Sequence, residues 1–442
     1  MRNNELSVES ILSILNIEAL NEMQQAALDA TVQHNNVIIL SATGSGKTLA
    51  FLLPVLRSLD HAATTTSALI VVPSRELALQ IETVFRNMGT GLKVTCCYGG
   101  HKREIEENAL VQPPALIIGT PGRIGDHLRR GNITADAIQT LVLDEFDKSL
   151  ELGFRDEIEF ILQSLPRLQK RILTSATPAV EIPDFIGATD AETLNFLPEG
   201  DAPSEALALQ SVFSPEKDKI QTLFRLLCFL GNRSSIIFCN HREAVERTSE
   251  LLADKGIINT FYHGAMEQRD REVALAKFRN GSVNFLVTTD LAARGLDIPN
   301  IRYIIHYHLP ATPEIFTHRN GRTARMDASG TAILILSEAE KLPAYITAPV
   351  ETVNLPPSET LPEKPKWTTL FIGAGKKDKV NKVDIVGFLS NRGELKREDI
   401  GLIEVKDFFS FVAVRKVKAS HVLQLIKEQK LKNKKVRIDV AK

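Results

Sequence analysis

The sequence predicts an α/β protein: two parallel-sheet units in tandem, each covered by helices, then a small α+β unit. Three observations carry that prediction. From about residue 25 to 200, short β-rich runs alternate with helical stretches, the pattern of a parallel sheet covered on both faces. A second series of similar size runs from about 204 to 345. After a proline-rich break, the chain closes in the order β-α-β-β-α-β. With 442 residues, 43% of them hydrophobic, the chain is too long for one domain and can bury several cores.

In the first unit, strands are expected at 37–40, 68–72, 93–98, 115–119, 140–143 and 170–174. In the second they are expected at 235–239, 259–262, 284–288, 303–306 and 330–336. Pro349, Pro356, Pro357, Pro362 and Pro365 fall in a stretch with few large apolar residues, which predicts a semi-stiff linker over 346–366. The tail reads as strand 368–372, helix 382–390, a hairpin of 401–406 with 410–415, helix 419–430 and strand 435–440. That order is a split βαβ, the topology of RNA-recognition modules. The expected domains are 1–203, 204–345, a linker 346–366, and 367–442.

The net charge of −1 hides an asymmetry. Residues 363–442 hold 20 Lys+Arg against 10 Asp+Glu, a net of +10, and residues 1–362 a net of −11. A basic tail on an acidic body points to a polyanion reached through the tail. Cys96, Cys97, Cys228 and Cys239 lack Cys-x-x-Cys spacing, and the ten histidines show no ligand spacing. Reduced buried thiols and no zinc are expected. No apolar run approaches a membrane span and no signal-peptide pattern opens the chain, so a soluble, unsecreted protein is expected.

The sharpest motif is Ala42-Thr43-Gly44-Ser45-Gly46-Lys47-Thr48. It follows an apolar strand and opens a helix, the context a phosphate-binding loop needs. Backbone N–H groups there point at anionic oxygens. Lys47 can reach terminal phosphates and Thr48 can hold Mg²⁺. The next signal is Leu141-Val142-Leu143-Asp144-Glu145-Phe146-Asp147. Three apolar residues put the acidic pair at the carboxyl end of a buried strand, where an open α/β sheet exposes its site. Asp144 suits Mg²⁺. Glu145 suits orienting an attacking water and taking its proton.

Taken together, the motifs resemble those of DEAD-box RNA helicases over roughly residues 20–340. Pro73-Ser74-Arg75-Glu76-Leu77-Ala78, Gly99-Gly100 and Thr120-Pro121-Gly122-Arg123 resemble that family's first RNA-contacting motifs. Ser175-Ala176-Thr177 resembles the segment coupling hydrolysis to strand separation. In the second unit the matching runs are Ile237–Asn240, Met266–Arg271, Thr289–Asp297 and His318–Arg325. The resemblance implies tandem RecA-like domains that bind ATP with Mg²⁺ and hydrolyse it when RNA is bound. It implies RNA contacts from Pro73, Arg75, Gly100, Thr120, Arg123, Asn240, Gly264, Gln268, Arg271 and Thr289. Small residues let phosphates approach, and arginines add charge-assisted contacts. Such contacts grip the backbone, so little sequence preference and strong salt sensitivity follow.

Gly295 and Asp297 would lie near the ribose and phosphates by the same resemblance. Arg322 and Arg325 would be arginine fingers reaching the γ-phosphate when the units close, a role worth about 10³–10⁵ in rate in related reactions. His318 would bridge toward the Asp144–Asp147 and Ser175–Thr177 motifs.

Two departures stand out. Phe146 occupies a position where the family usually has Ala, adding bulk near Ser175–Thr177. Asn21-Glu22-Met23-Gln24 stands where the family has Thr-Pro-x-Gln, so Gln24 is the candidate adenine reader, but the family's upstream aromatic is missing near Ser7.

Residues 367–379 resemble the opening of the DbpA-type RNA-binding domain, from the bacterial DEAD-box branch directed to 23S ribosomal RNA. That implies a cytoplasmic bacterial helicase acting on 23S rRNA and large-subunit precursors, with no membrane partner. No oligomerisation segment is evident, so a monomer is expected. Phe371 sits where such modules place a stacking aromatic. Lys376, Lys377, Lys379, Arg415 and Lys416 are the basic candidates. Motif content leaves open an ATP-gated RNA clamp with little strand separation, or a DNA translocase of the same superfamily.

Overall fold

The computed structural model describes the chain except residues 1–6, 43, 60–63, 178–181, 189, 198–206, 291–300, 322–329 and 358. Thr43, Gly295, Asp297, Arg322 and Arg325 therefore lie outside the described residues. By its internal contacts the chain divides near residue 202 into two compact units.

The first unit is built on seven strands: β1 (Asn36–Ser41), β2 (Ala68–Val71), β3 (Val94–Cys97), β4 (Leu116–Gly119), β5 (Thr140–Leu143), β6 (Lys170–Ser175) and β7 (Glu192–Phe196). Their order is β3-β4-β2-β5-β6-β1-β7, and all pairings are parallel. The central strands are buried on both faces, as their unbroken apolar runs require. One face packs Phe51, Leu52, Ile81 and Phe85 from the helices over it, and the other packs Ile124, Phe146, Ile158 and Ile161. Phe146 is thus turned into the core of the second face. Edge strand β7 was missed in the sequence because its residues are mostly half-buried or exposed.

In the second unit, β8 (Leu207–Ser214), β9 (Ser235–Phe238), β10 (Asn259–Tyr262), β11 (Phe285–Thr288), β12 (Tyr303–His306), β13 (Gly330–Ser337) and β14 (Glu351–Thr352) form another parallel sheet. Its order, β10-β11-β9-β12-β13-β8-β14, repeats the first strand for strand. Strand β14 comes from the segment read as a linker. That segment is laid along the sheet and its helices: Val353 and Leu355 pack on the core, and Arg225 donates to the Leu355 and Pro356 carbonyls.

The tail sheet is antiparallel, in the order β16-β17-β15-β20, from β15 (Trp367–Ile372), β16 (Ile400–Val405), β17 (Ser410–Arg415) and β20 (Ile438–Val440). A small hairpin of β18 (Lys430–Leu431) with β19 (Lys434–Lys435) precedes β20. The helices Lys382–Gly393 and Lys416–Ile426 cover one face of this sheet. Among the described residues no helix is long and apolar enough to cross a membrane.

Candidate nucleotide site and RNA-facing surfaces

The loop after β1 turns on Gly44 (φ 87°) and Gly46 (φ 92°), a left-handed conformation that glycine adopts without strain. A Cβ at Gly46 would also stand 2.6 Å from Gln24 Nε2, so the Gln24 amide would have to move. Gln24, the candidate adenine reader, touches this loop. Its Nε2 donates to the Gly46 carbonyl at 3.2 Å, and its Oε1 accepts from the Asn21 N–H as half of a capping box. Asn21 Nδ2 donates to the Ser45 carbonyl. The segment expected to read adenine thus braces the turn.

Lys47 opens the Lys47–Ser58 helix, buried, with Nζ donating to the Ser41 carbonyl at 2.6 Å. Burial pulls its pKa down, and Asp144 and Glu145 nearby oppose that. Asp144 follows β5 and is 4% exposed. Burial, with Glu145 beside it, pushes its carboxyl up to about 6, while a bond from the Thr174 hydroxyl and the charge of Lys47 oppose the rise. A buried carboxylate held this unfavourably fits a cation ligand. Thr48 stands next to Lys47 at the start of the same helix.

Glu145 adopts φ 50°, unusual for a residue with a side chain, and its N–H donates to Thr174 Oγ1 at 3.1 Å. The turn starts the short helix Phe146–Glu151. In that helix Asp147 Oδ2 accepts from Thr177 Oγ1 at 3.1 Å, and the Thr177 N–H donates to Ser175 Oγ at 3.0 Å. The acidic motif and Ser175–Thr177 are therefore one bonded network. Lys148, which the sequence reading passed over, is fully buried with Nζ 2.9 Å from Glu145 Oε1.

The first unit's RNA candidates cluster beyond β2, β3 and β4. Pro73 is buried, and Arg75 lies 4.4 Å over the Tyr98 ring. Gly100 is left-handed (φ 92°), and Thr120 caps the Pro121–Arg129 helix. Arg123 is seated by buried Glu106: its Nη1 reaches Oε2 at 3.1 Å. His127 (2.7 Å), His101 (3.0 Å) and the Tyr98 amide (2.8 Å) complete the shell of that carboxylate. Burial alone would raise the Glu106 pKa, but bonds from His101, His127 and Tyr98, with Arg123 beside them, hold it at about 2. Cys97, Glu106 and His127 bring ligand-type atoms within 4.8 Å of one another, but the Glu106 oxygens are already taken by this shell. The spacing carried no sign of this cluster, because the three groups come from a strand and two helices.

In the second unit, Asn240 follows β9, Gly264 follows β10 and Thr289 follows β11, while Gln268 and Arg271 stand in the Gln268–Arg279 helix. Nothing within 4 Å would meet a Cβ at Gly264. Gln268 Nε2 donates to Glu272. Arg319, only 2% exposed, ties this surface together. It pairs with Asp290 through Nε (2.5 Å) and Nη2 (2.8 Å), donates to Asn240 Oδ1 (2.9 Å), and reaches the His308 carbonyl (2.6 Å). Arg319 lies within the His318–Arg325 run, where nothing in the spacing marks it as the residue that binds these loops together. His318 is buried beside it.

The tail sheet turns its aromatic face to this unit. Phe371, Phe409 and Phe411 pack on one another and against Val273 and Ala276 of the Gln268–Arg279 helix. The Arg269 guanidinium lies 5.6 Å over the Phe371 ring. Asn280 bonds Thr369 Oγ1 at 2.9 Å, and Arg279 pairs with Glu404 at 3.4 Å. Phe371, expected as a stacking platform, is half-buried, its ring packed beside Phe409, Phe411 and Arg269. Lys376, Lys377, Lys379 and Lys416 are exposed, and Arg415 lies 4.5 Å over the Trp367 ring.

Comparison with known proteins agrees with this geometry. Residues 21–185 match the DEAD/DEAH box helicase family, residues 218–327 the helicase conserved C-terminal domain, and residues 369–440 the DbpA RNA binding domain. The chain is 34% identical to the ATP-dependent RNA helicase DbpA of Escherichia coli over 98% of its own length and 96% of that protein's. The chain belongs to the DEAD-box ATP-dependent RNA helicases. To DbpA of Bacillus subtilis the helicase is 30% identical, over 95% of its own length and 94% of the relative's. Among solved structures it superposes on Saccharomyces cerevisiae Dbp5 bound to RNA and ADP BeF3 with a TM-score of 0.68. The two share 26% identity, over 79% of this chain and 94% of that one. Mss116p bound to ssRNA and AMP-PNP gives a TM-score of 0.67 at 25% identity, over 81% and 78%.

Proposed function

We propose that this helicase hydrolyses ATP in response to RNA and separates short RNA duplexes locally, acting on 23S rRNA and large-subunit precursors in the bacterial cytoplasm as a monomer. The observation that carries the reading is the buried cluster at the carboxyl ends of β1, β5 and β6. There Lys47, Asp144, Glu145, Asp147 and Thr177 share one bonded and charged network.

In this reading the loop from Ala42 through Thr43 to Gly46 cradles phosphates, and Lys47 reaches their terminal oxygens. Thr48 and Asp144 hold Mg²⁺, which neutralises phosphate charge when bound. Glu145 orients water and takes its proton. Gly295, Asp297, Arg322 and Arg325 are the second unit's contribution to turnover, and Ser175, Thr177 and His318 carry the coupling. The backbone of RNA is gripped by the candidates after β2, β3 and β4 and by those of the second unit. The exposed tail lysines and Arg415 select the structured RNA, consistent with the match to the DbpA RNA binding domain. The working divisions are 1–203, 204–345, a segment 346–366, and 367–442.

The test pairs ATPase and strand-separation assays on a short duplex joined to a 23S rRNA fragment. The expected result is RNA-stimulated hydrolysis and separation, both lost in Glu145→Gln while ATP binding stays. Stimulation without separation would leave an ATP-gated clamp. Crosslinks of the tail scattered over unrelated transcripts would overturn the ribosomal target.

A further inference from the structure

Lys148 has no place in the scheme above, yet it touches the residue on which hydrolysis depends. It is fully buried, with its Nζ 2.9 Å from Glu145 Oε1. A buried ammonium needs an anionic partner, and breaking such a pair from one side is costly. The local backbone makes the meeting unavoidable. Glu145 sits at φ 50° as the cap of the Phe146–Glu151 helix, anchored by its N–H on Thr174 Oγ1. Residues three apart then share a helix side, so Lys148 comes back under the Glu145 carboxylate.

We propose that Lys148 is a positioning residue that parks the Glu145 carboxylate, so that Glu145 must leave the ion pair before it can accept a proton from water. This rests on Glu145 being the general base. While paired, the carboxylate is held in one rotamer by the Lys148 ammonium. The same six-residue helix offers a release. Asp147, one residue before Lys148, is bonded to Thr177. A displacement of Ser175–Thr177 is therefore transmitted to the helix that carries Lys148. Coupling to RNA then acts by freeing the base as well as by completing the pocket.

Among the described residues, Asp144 after β5 and Lys47 on the helix after β1 lie near Glu145, Thr174 Oγ1 accepts from its N–H, and Lys148 pairs with its carboxylate. Without Lys148, Lys47 is still a cation near Glu145.

The experiment measures steady-state ATPase of the full chain with and without RNA for the parent, Lys148→Met and Lys148→Arg. Lys148→Met is expected to raise RNA-free turnover on the order of tenfold, the gain when a competent state no longer has to be released first. Lys148→Arg keeps the parental behaviour. Unchanged ATP affinity shows the pocket intact; if Lys148→Met fails to fold, Lys148→Gln makes the same comparison. RNA-free turnover at or below the parent's overturns the inference. Glu145→Gln separates the two claims: parental turnover in that variant would sink the base assignment itself. An inactive Glu145→Gln beside an unresponsive Lys148→Met would sink only the parking role.

Discussion

The two large sheets have the same strand order, but their equivalent corners have opposite chemistry. In the first, the loop from β1 to Lys47 contains two left-handed glycines, and β5 runs out into Asp144 and Glu145. In the second, the loop from β8 to Lys219 has no glycine, and β12 runs out into Tyr307 and His308. Lys219 stands at the start of its helix as Lys47 does and is likewise buried. Its Nζ, however, is filled from within, by the Ile335 carbonyl at 3.0 Å and Glu340 at 2.9 Å. A duplicated strand order thus supplies a place for an anion at each sheet, and side chains decide which place stays available. Fold alone does not carry function.

The comparison is sharpest at the two lysines. Lys47→Ala is expected to weaken ATP binding on the order of a hundredfold in a nucleotide-fluorescence titration. Lys219→Ala should leave that affinity within about twofold and instead cost about 2–3 kcal/mol in chemical denaturation, because Glu340 loses its cation. An ATP deficit in Lys219→Ala comparable to that of Lys47→Ala would break the contrast.

A smaller effect is expected at Glu106, whose carboxylate seats Arg123. Glu106→Gln should weaken RNA binding several-fold and cost about 1–3 kcal/mol of stability at pH 7. The sign with pH follows from its depressed pKa, about 2 against an ordinary 4.5. The parent's advantage is fully present above about 4.5 and fades as the pH falls toward about 2. Thermal melts of both proteins across that window check it, and an advantage that widens on acidification would be the wrong sign.

The smallest effects are expected in the tail, where the two readings of its surface separate. Phe371→Ala should lower stability by about 1–2 kcal/mol through lost packing on the Gln268–Arg279 helix. Lys377→Glu should change stability by less than about 0.5 kcal/mol while weakening RNA binding and flattening its salt dependence. If Phe371→Ala instead weakened RNA binding with stability intact, the ring would be a base platform after all.

What could be read from the residues follows a physical divide. Strand β5 and the loop after β1 were legible because their evidence is contiguous: an apolar run, then glycines or carboxylates in a fixed chemical order. The Glu106 shell, the Lys148–Glu145 pair and the Arg319 bonds were not, because each joins groups whose nearness depends on three-dimensional packing or a single unusual φ. Strand β8 escaped notice because its burial is uneven, with Phe213 exposed beside buried Val212. The proline-rich segment was read as a spacer from composition, which says nothing about a neighbouring surface able to receive Val353 and Leu355.

That last segment, with the Thr369–Asn280 bonds beyond it, changes what kind of instrument the tail can be. A module on a loose string samples a sphere, and its catch may lie anywhere within reach. A module bolted down along its approach and across one face works instead as a ruler. Under the function proposed above, an RNA held by the tail would be presented at a set offset and azimuth from the second sheet, so distance from that anchor would decide which duplexes come within reach.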